Sequence, residues 1–130
     1  QQLPYSIIIK EDEDYYLLKY NQLDSDFSQR IVKECRGLII RKKDLKPIAL
    51  SFLKFHNYGE PNADEINWNN FQVYDKIDGS KILVFYDNLK WHIATSGNID
   101  AYNAPVSNKD FSYGDLFEKA CKYNGYESDN

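Results

Sequence analysis

At 130 residues the chain has the length of one domain, or of a piece of a larger one, and its 42% hydrophobic and 28% charged residues are the proportions of an ordinary soluble globular protein. A net charge of −4 excludes a global attraction to nucleic acid or to an anionic membrane, so any phosphate binding must rest on local charge. Two cysteines, Cys35 and Cys121, make no disulfide framework, and His56 and His92 stand too far apart for zinc-ligand spacing, so no metal ligands are assigned.

Eleven Tyr and seven Phe, without a single Met, tilt the chain towards pleated, half-buried surfaces. Tyr5 to Ile9 and Tyr15 to Tyr20 read as strands joined through Lys10 to Asp14 into a hairpin. Gly37 to Ile40 and Ile48 to Phe52 read as a second pair connected by Arg41 to Pro47, with Pro47 suited to a strand edge or start. Pro61 to Trp68 reads as one or two helical turns, and Phe71 to Tyr74 as a short strand. Ile82 to Tyr86 is a continuous apolar run, the pattern of a strand buried on both faces, and Asp87 to Lys90 turns it back into Trp91 to Thr95. A helix is expected from Tyr113 to Tyr123, with Ser112 as N-cap, Leu116, Phe117 and Ala120 as its apolar face and Gly125 as the stop. The predicted fold is α+β, dominated by antiparallel hairpins.

The chain shows no secretory signal and no apolar run near the length of a membrane span. Both thiols are read as reduced and the protein as cytoplasmic, without a membrane partner. Because the chain starts at Gln1 and stops at Asn130 in a polar segment, it is expected to be trimmed at one or both ends. Basic residues gather at Lys33, Arg36, Arg41, Lys42, Lys43, Lys46 and Lys54, while acids gather at Glu11 to Asp14, Asp24, Asp26 and Glu127 to Asp129. The Arg41 to Lys46 group is read as a solvated face.

Lys76-Ile77-Asp78-Gly79 is a K-x-D-G sequence expected at a strand–loop–strand junction. Its bland reading is a hairpin turn, since Asp-Gly is a common turn dipeptide. Its chemical reading is a lysine nucleophile that attacks the α-phosphate of a nucleotide, forms a phosphoramidate and expels pyrophosphate. Such an amine must be neutral, and a free lysine with a pKa near 10.4 is only about 0.1% neutral at pH 7.5, so nearby cations must favour loss of its proton. Glycine beside the lysine lets the backbone approach a nucleotide closely, and further cations are needed to clamp a triphosphate.

Four segments in order, Tyr20-Asn21, Glu34-Cys35-Arg36-Gly37, Lys54-Phe55-His56-Asn57 and Lys76-Ile77-Asp78-Gly79-Ser80, together resemble the ATP-dependent RNA ligases of the T-even-phage RNA ligase 1 family. A fifth, Thr95-Ser96-Gly97-Asn98-Ile99, stands where that family carries its next nucleotide-site motif. The resemblance runs from about Tyr15 to Ile99. It implies the N-terminal portion of a nucleotidyltransferase (adenylation) domain across residues 1–130, with a partial ligase fold of antiparallel sheets and flanking helices. It implies Lys76 as the adenylylated lysine, with Tyr20, Arg36, Lys54, Phe55, Asp78 and Gly79 at the nucleotide. ATP and magnesium (Mg2+) are the implied cofactors, and RNA, with broken tRNA as the family-level guess, is the implied substrate.

The chain departs from the family in three places. His56 stands where a second phenylalanine is common, Ser96 where many relatives carry Lys or Arg, and the later glutamate, metal carboxylate and paired lysines are not found before Asn130. Taken one at a time, Arg36 reads as an ion pair with Glu34, Lys54 as a solvated strand end and Tyr20 as a half-buried sheet aromatic. Two rivals to an RNA ligase stay open: a DNA ligase or mRNA-capping guanylyltransferase, which share K-x-D-G, and a non-catalytic nucleotide- or RNA-binding module.

Overall fold

Two antiparallel sheets organise the computed structural model, which describes residues 2–126 of the chain; the acidic run Glu127 to Asp129 lies outside them. The first sheet has five strands in sequential order: β1 (Gln2–Leu3), β2 (Ile7–Glu11), β3 (Tyr15–Tyr20), β4 (Arg36–Arg41) and β5 (Lys46–Ala49). The second is the hairpin of β6 (Ile82–Asp87) and β7 (Lys90–Thr95). Helix α1 (Arg30–Glu34) leads into β4, and α2 (Tyr113–Tyr123) follows β7. The expected α+β class with antiparallel hairpins is the one observed.

Local chemistry explains these elements. The turn between β2 and β3 closes because Asp12 Oδ1 accepts from the amides of Asp14 at 2.9 Å and Tyr15 at 2.7 Å, a side-chain-built turn of the kind short acids favour. The β6–β7 turn has positive φ at both Asn88 (49°) and Leu89 (63°), the backbone that matches strand twist in two-residue hairpins. Ser112 and Asp115 form a reciprocal capping box at the start of α2, with Ser112 Oγ accepting from Asp115 N at 3.1 Å.

The sheets meet through Tyr15, Ile39, Ala49, Phe85 and Ala94, all buried, with Ile48, Leu83 and Ile99 packed against them. A second cluster seats α1 on the first sheet through Ile7, Val32 and Cys35, with Leu18, Tyr20 and Phe27 alongside. Val32 and Ile39 are fully buried, and each such aliphatic side chain stabilises the fold by roughly 1.5–3 kcal/mol. Between the sheets Tyr15 donates to Asp87 Oδ2 at 2.9 Å while Arg41 Nη1 donates to Asp87 Oδ1 at 2.5 Å. Burial pushes the Tyr15 hydroxyl up to about 12, and the Asp87 bond adds to the shift. Burial alone would raise the Asp87 carboxyl, but the Tyr15 hydroxyl and the Arg41 charge outweigh it and hold it below its ordinary value.

Several expected elements differ. The strand predicted from Tyr5 is β2 and starts at Ile7, because Tyr5 and Ser6 take positive φ in the short turn before it. The β4 partner is Lys46–Ala49, not Ile48 to Phe52; it pairs Pro47 with Ile40, and Phe52 is left exposed beyond it. Pro61 to Trp68 forms turns without a helix. Phe71 to Tyr74 is not a strand and is exposed throughout, since no sheet edge reaches it and an unpaired strand has no ladder partners. The strand Ile82–Asp87 exists but is buried on one face: Phe85 is covered, whereas Val84 and Tyr86 face out. Helix α2 has the expected limits, yet Leu116 and Ala120 are exposed; the helix is held near its start, where Gly114 lies against the Tyr102 ring. Helix α1 had no predicted counterpart. Cys35 and Cys121 are both free, and burial pushes the Cys35 thiol up to about 11.

Candidate functional site

Strands β3 and β4 end together, with Lys19 opposite Arg36 in the register and Tyr20 N donating to Cys35 O at 2.7 Å. That pairing brings the Tyr20 and Arg36 segments to one end of the first sheet. The chain then returns past α1, where Lys54 N donates to Lys33 O at 2.9 Å. Arg36 reaches this returning segment twice, stacking its guanidinium 5.1 Å from the Phe55 ring centre and donating to Leu53 O at 3.4 Å.

Four of the seven predicted site residues line one cleft of about 470 Å³: Arg36, Lys54, Phe55 and Lys76. They share it with Phe27, His56 and Glu60. Lys54 Nζ sits 5.6 Å from the centre of the Phe27 ring. Lys76 is well exposed and pairs with Asp78 Oδ1 at 3.1 Å, with Asp78 almost wholly in solvent. Tyr20 and Gly79 instead line a neighbouring cleft of about 430 Å³ with Lys19, Lys81 and Ser96. Arg36 lines both clefts.

The segment carrying Lys76 is neither a hairpin turn nor a strand–loop–strand junction; regular structure resumes only at Ile82. Arg36 does not pair with Glu34, which is engaged by Arg30 at 3.0 Å. Among the described residues neither Arg36 nor Lys54 has a carboxylate within ion-pair distance. Arg41 and Lys42, by contrast, are taken up by Asp44, Asp87 and Glu11; Arg41 is largely covered where it meets buried Asp87, so the solvated-face reading holds for Lys43 to Lys46 but not for Arg41. Arg36 and Lys54 thus leave positive charge uncompensated at the clefts, although lysines away from them, Lys43 and Lys46 among them, are also without an ion pair among the described residues. Tyr20 does behave as a half-buried sheet aromatic, edge-on to Phe27 at 5.1 Å.

Three neighbours of the site were not singled out in the sequence. Phe27 sits in a polar stretch with no periodicity to mark it. Lys19 belongs to an alternating strand. Lys81, directly after Gly79-Ser80, donates to Arg36 O at 2.6 Å and Ser51 Oγ at 2.5 Å; burial and then the Arg36 charge bring it down to about 8. Its proximity to the K-x-D-G sequence was the available signal. Gly37, with φ 87°, lets this corner close: a Cβ there would lie 2.9 Å from Ser96 Cα.

A larger cavity, about 900 Å³, lies elsewhere, between β7 and α2, and contains none of the predicted site residues. Asp12, Asp14, Asp100 and Glu118 line it against Lys90 and Lys122, an acidic balance that disfavours polyphosphate. Among the described residues no group of three or more His, Cys, Asp or Glu could hold a metal ion, and no helix is long and apolar enough to cross a membrane.

No family model matches the chain, and no solved structure does. Two viral proteins do. A protein of Autographa californica nuclear polyhedrosis virus, whose assigned name is bifunctional polynucleotide kinase/RNA ligase, is 33% identical over 110 residues, covering 77% of this chain and 16% of its own length. The RNA ligase of Rhodothermus phage RM378 is 31% identical over 142 aligned residues, covering 85% of this chain and 32% of its own length. The chain thus spans a third or less of the relatives it matches, and over most of its length it is related to viral proteins named as RNA ligases.

Proposed function

We propose that the chain carries the nucleotide-binding part of an ATP-dependent RNA ligase resembling the T-even-phage RNA ligase 1 family, with Lys76 as the residue that takes up AMP. The observation that carries this reading is the convergence of Arg36, Lys54, Phe55 and Lys76, from three separate motif segments, on one cleft. Aromatic faces suit a base, unpaired cations suit phosphates, and the volume falls in the range of small-molecule sites. The names of both relatives favour RNA ligation over DNA ligation or mRNA capping.

In the proposed reaction the neutral Lys76 amine attacks the α-phosphorus of ATP. A P–N bond forms, the bond to the β-phosphate oxygen breaks, and pyrophosphate leaves. Arg36 and Lys54 offset the charge on the triphosphate, an electrostatic contribution whose loss typically costs about a hundredfold or more per contact. Asp78 lies within hydrogen-bond reach of Nζ, so it can receive the proton that the amine gives up. The AMP then passes to an RNA 5′-phosphate, and the RNA 3′-hydroxyl displaces it to seal the strand.

Magnesium neutralises phosphate charge in such reactions. The described residues do not build a site for it, so it would come with the triphosphate oxygens, as Mg2+ commonly does. tRNA as the RNA, and a cytoplasmic setting, belong to the same proposal. Intact-mass measurement after incubation with ATP and magnesium tests it, on this chain and on the full gene product. One AMP per protein supports the ligase reading; bound but never covalent nucleotide supports a binding module.

A further inference from the structure

The cleft beside the one that carries Lys76 is built from a different set of charges. Lys19, Arg36 and Lys81 line it together with Ser80, Thr95 and Ser96. None of its lining residues is an acid, whereas Glu60 lines the first cleft and Asp12, Asp14, Asp100 and Glu118 line the larger cavity. In a chain of net charge −4, an acid-free wall holding two lysines and an arginine is a local reversal of sign. Such a cleft concentrates anions.

The polar groups are placed to act on one anion. Lys19 stands opposite Arg36 in the β3–β4 register, and its Nζ lies 3.7 Å from the point that a Cβ on Gly97 would occupy. Lys19 forms no ion pair among the described residues. Lys81 Nζ donates to Arg36 O at 2.6 Å and to Ser51 Oγ at 2.5 Å, which fixes the ammonium and uses two of its three N–H groups. Burial disfavours its charged form and brings it down to about 8, and an anion beside it would offset that cost. Thr95 Oγ1 accepts from the amides of Gly97 at 3.2 Å and Asn98 at 3.0 Å, so its own hydrogen is left to donate. Ammonium and hydroxyl donors around a space of about 430 Å³ suit the oxygens of a phosphate.

The proposed reaction needs a phosphate group from each of two molecules, and the nucleotide supplies only one. Arg36 lines both clefts, and Gly79, from the segment that carries Lys76, lines the second. We propose that Lys19 and Lys81 hold the 5′-phosphate of the RNA end in this second cleft, beside the lysyl-AMP of the first. The inference rests on the ligase reading of Lys76 and adds two residues that lie outside every motif segment. One oxygen of the 5′-phosphate attacks the phosphorus of AMP. A P–O bond forms, the P–N bond breaks, and its electron pair returns to Lys76 Nζ, which takes up a proton. Holding the two phosphates side by side turns an encounter between molecules into a step within one complex.

Fluorescence anisotropy of a 3′-labelled oligoribonucleotide, carrying either a 5′-phosphate or a 5′-hydroxyl, tests the site in the full gene product without ATP. The wild type should bind the 5′-phosphorylated strand about tenfold more tightly, equivalent to about 1.4 kcal/mol. Lys19→Gln and Lys81→Gln should each erase most of that preference, and Lys19→Arg should keep it. Lys43→Gln removes the same charge at an exposed lysine of the β4–β5 turn and should leave the preference intact. If Lys81→Gln does not fold, the exposed Lys19 still decides the question. Equal wild-type affinity for the two strands, or equal losses in Lys19→Gln and Lys43→Gln, would overturn the assignment. So would a preference that survives Lys19→Gln; if that variant weakens α,β-methylene-ATP instead, the cleft serves the triphosphate. Intact mass of the wild type separates the two claims. A preference lost in Lys19→Gln, without lysyl-AMP in the wild type, removes the ligase reading and leaves the phosphate site standing; lysyl-AMP with no 5′-phosphate preference does the reverse.

Discussion

Replacing Gly37 by Ala probes the corner where Arg36 meets the Thr95–Asn98 turn, and the structure separates its cost into two parts. An alanine at φ 87° sits in the left-handed region, at about 1–2 kcal/mol. Its Cβ would also lie 2.9 Å from Ser96 Cα, a backbone atom that cannot swing aside, and forcing such a gap open costs typically about 1–3 kcal/mol more. Gly59 supplies the control: its φ of 81° is nearly the same, but no atom lies within 4 Å of the position its Cβ would take. Gly37→Ala should therefore destabilise the chain by about 1–3 kcal/mol more than Gly59→Ala does. Urea unfolding reads this as a larger drop in midpoint at unchanged slope. Equal midpoints for the two variants would refute the close approach of Gly37 to Ser96. Arg36 and Ser96 would then not share a cleft wall.

Three further outcomes follow from named contacts. Tyr15→Phe removes the hydroxyl that donates to buried Asp87 and should cost about 1.5–3 kcal/mol at neutral pH. Because the Asp87 carboxyl is held below its ordinary value, its contribution is present above the unfolded-state carboxyl range and lost as pH falls through the lower folded value. Urea midpoints of wild type and variant should then converge in acid, and a gap that widens there would be contrary to this. Lys81, brought down to about 8, loses its charge earlier than an ordinary lysine as pH rises. Pyrophosphate affinity measured by calorimetry should fall between about pH 7 and 9, and Lys81→Gln should flatten the profile; a profile that Lys81→Gln leaves unchanged argues against it. Phe52, Val73, Tyr74 and Ile77 are all at least 77% exposed, more apolar surface in one stretch than a stable monomer usually shows. Sedimentation should show concentration-dependent self-association, and a strict monomer at high concentration would contradict it.

The hairpins were legible because each joins apolar, β-rich runs through turn chemistry that acts locally: Asp12 at one turn, Asn88-Leu89 at another. The limits of α2 were legible for the same reason, since Ser112 and Asp115 cap it whatever packs on it. Burial was less so. Ile82 to Tyr86 is uniformly apolar, and only the second sheet's single neighbour shows that Val84 and Tyr86 face outwards. Phe71 to Tyr74 has strand composition, but composition cannot supply a partner edge. At the site, Arg36, Lys54, Phe55 and Lys76 could be proposed from motif order, because their chemistry is read one residue at a time. Phe27, Lys19 and Lys81 could not, because their place depends on β3 and β4 ending together and on the chain returning past α1.

The most direct test of the central claim is intact mass after ATP and magnesium, for wild type, Lys76→Ala and Lys76→Arg in the full gene product. Arginine keeps the positive charge but stays protonated and cannot attack phosphorus, so it separates a nucleophile from a phosphate clamp. The account predicts one AMP on the wild type, mapped to Lys76, and none on either variant. AMP retained by Lys76→Arg, or mapped to another lysine such as Lys81, would contradict it.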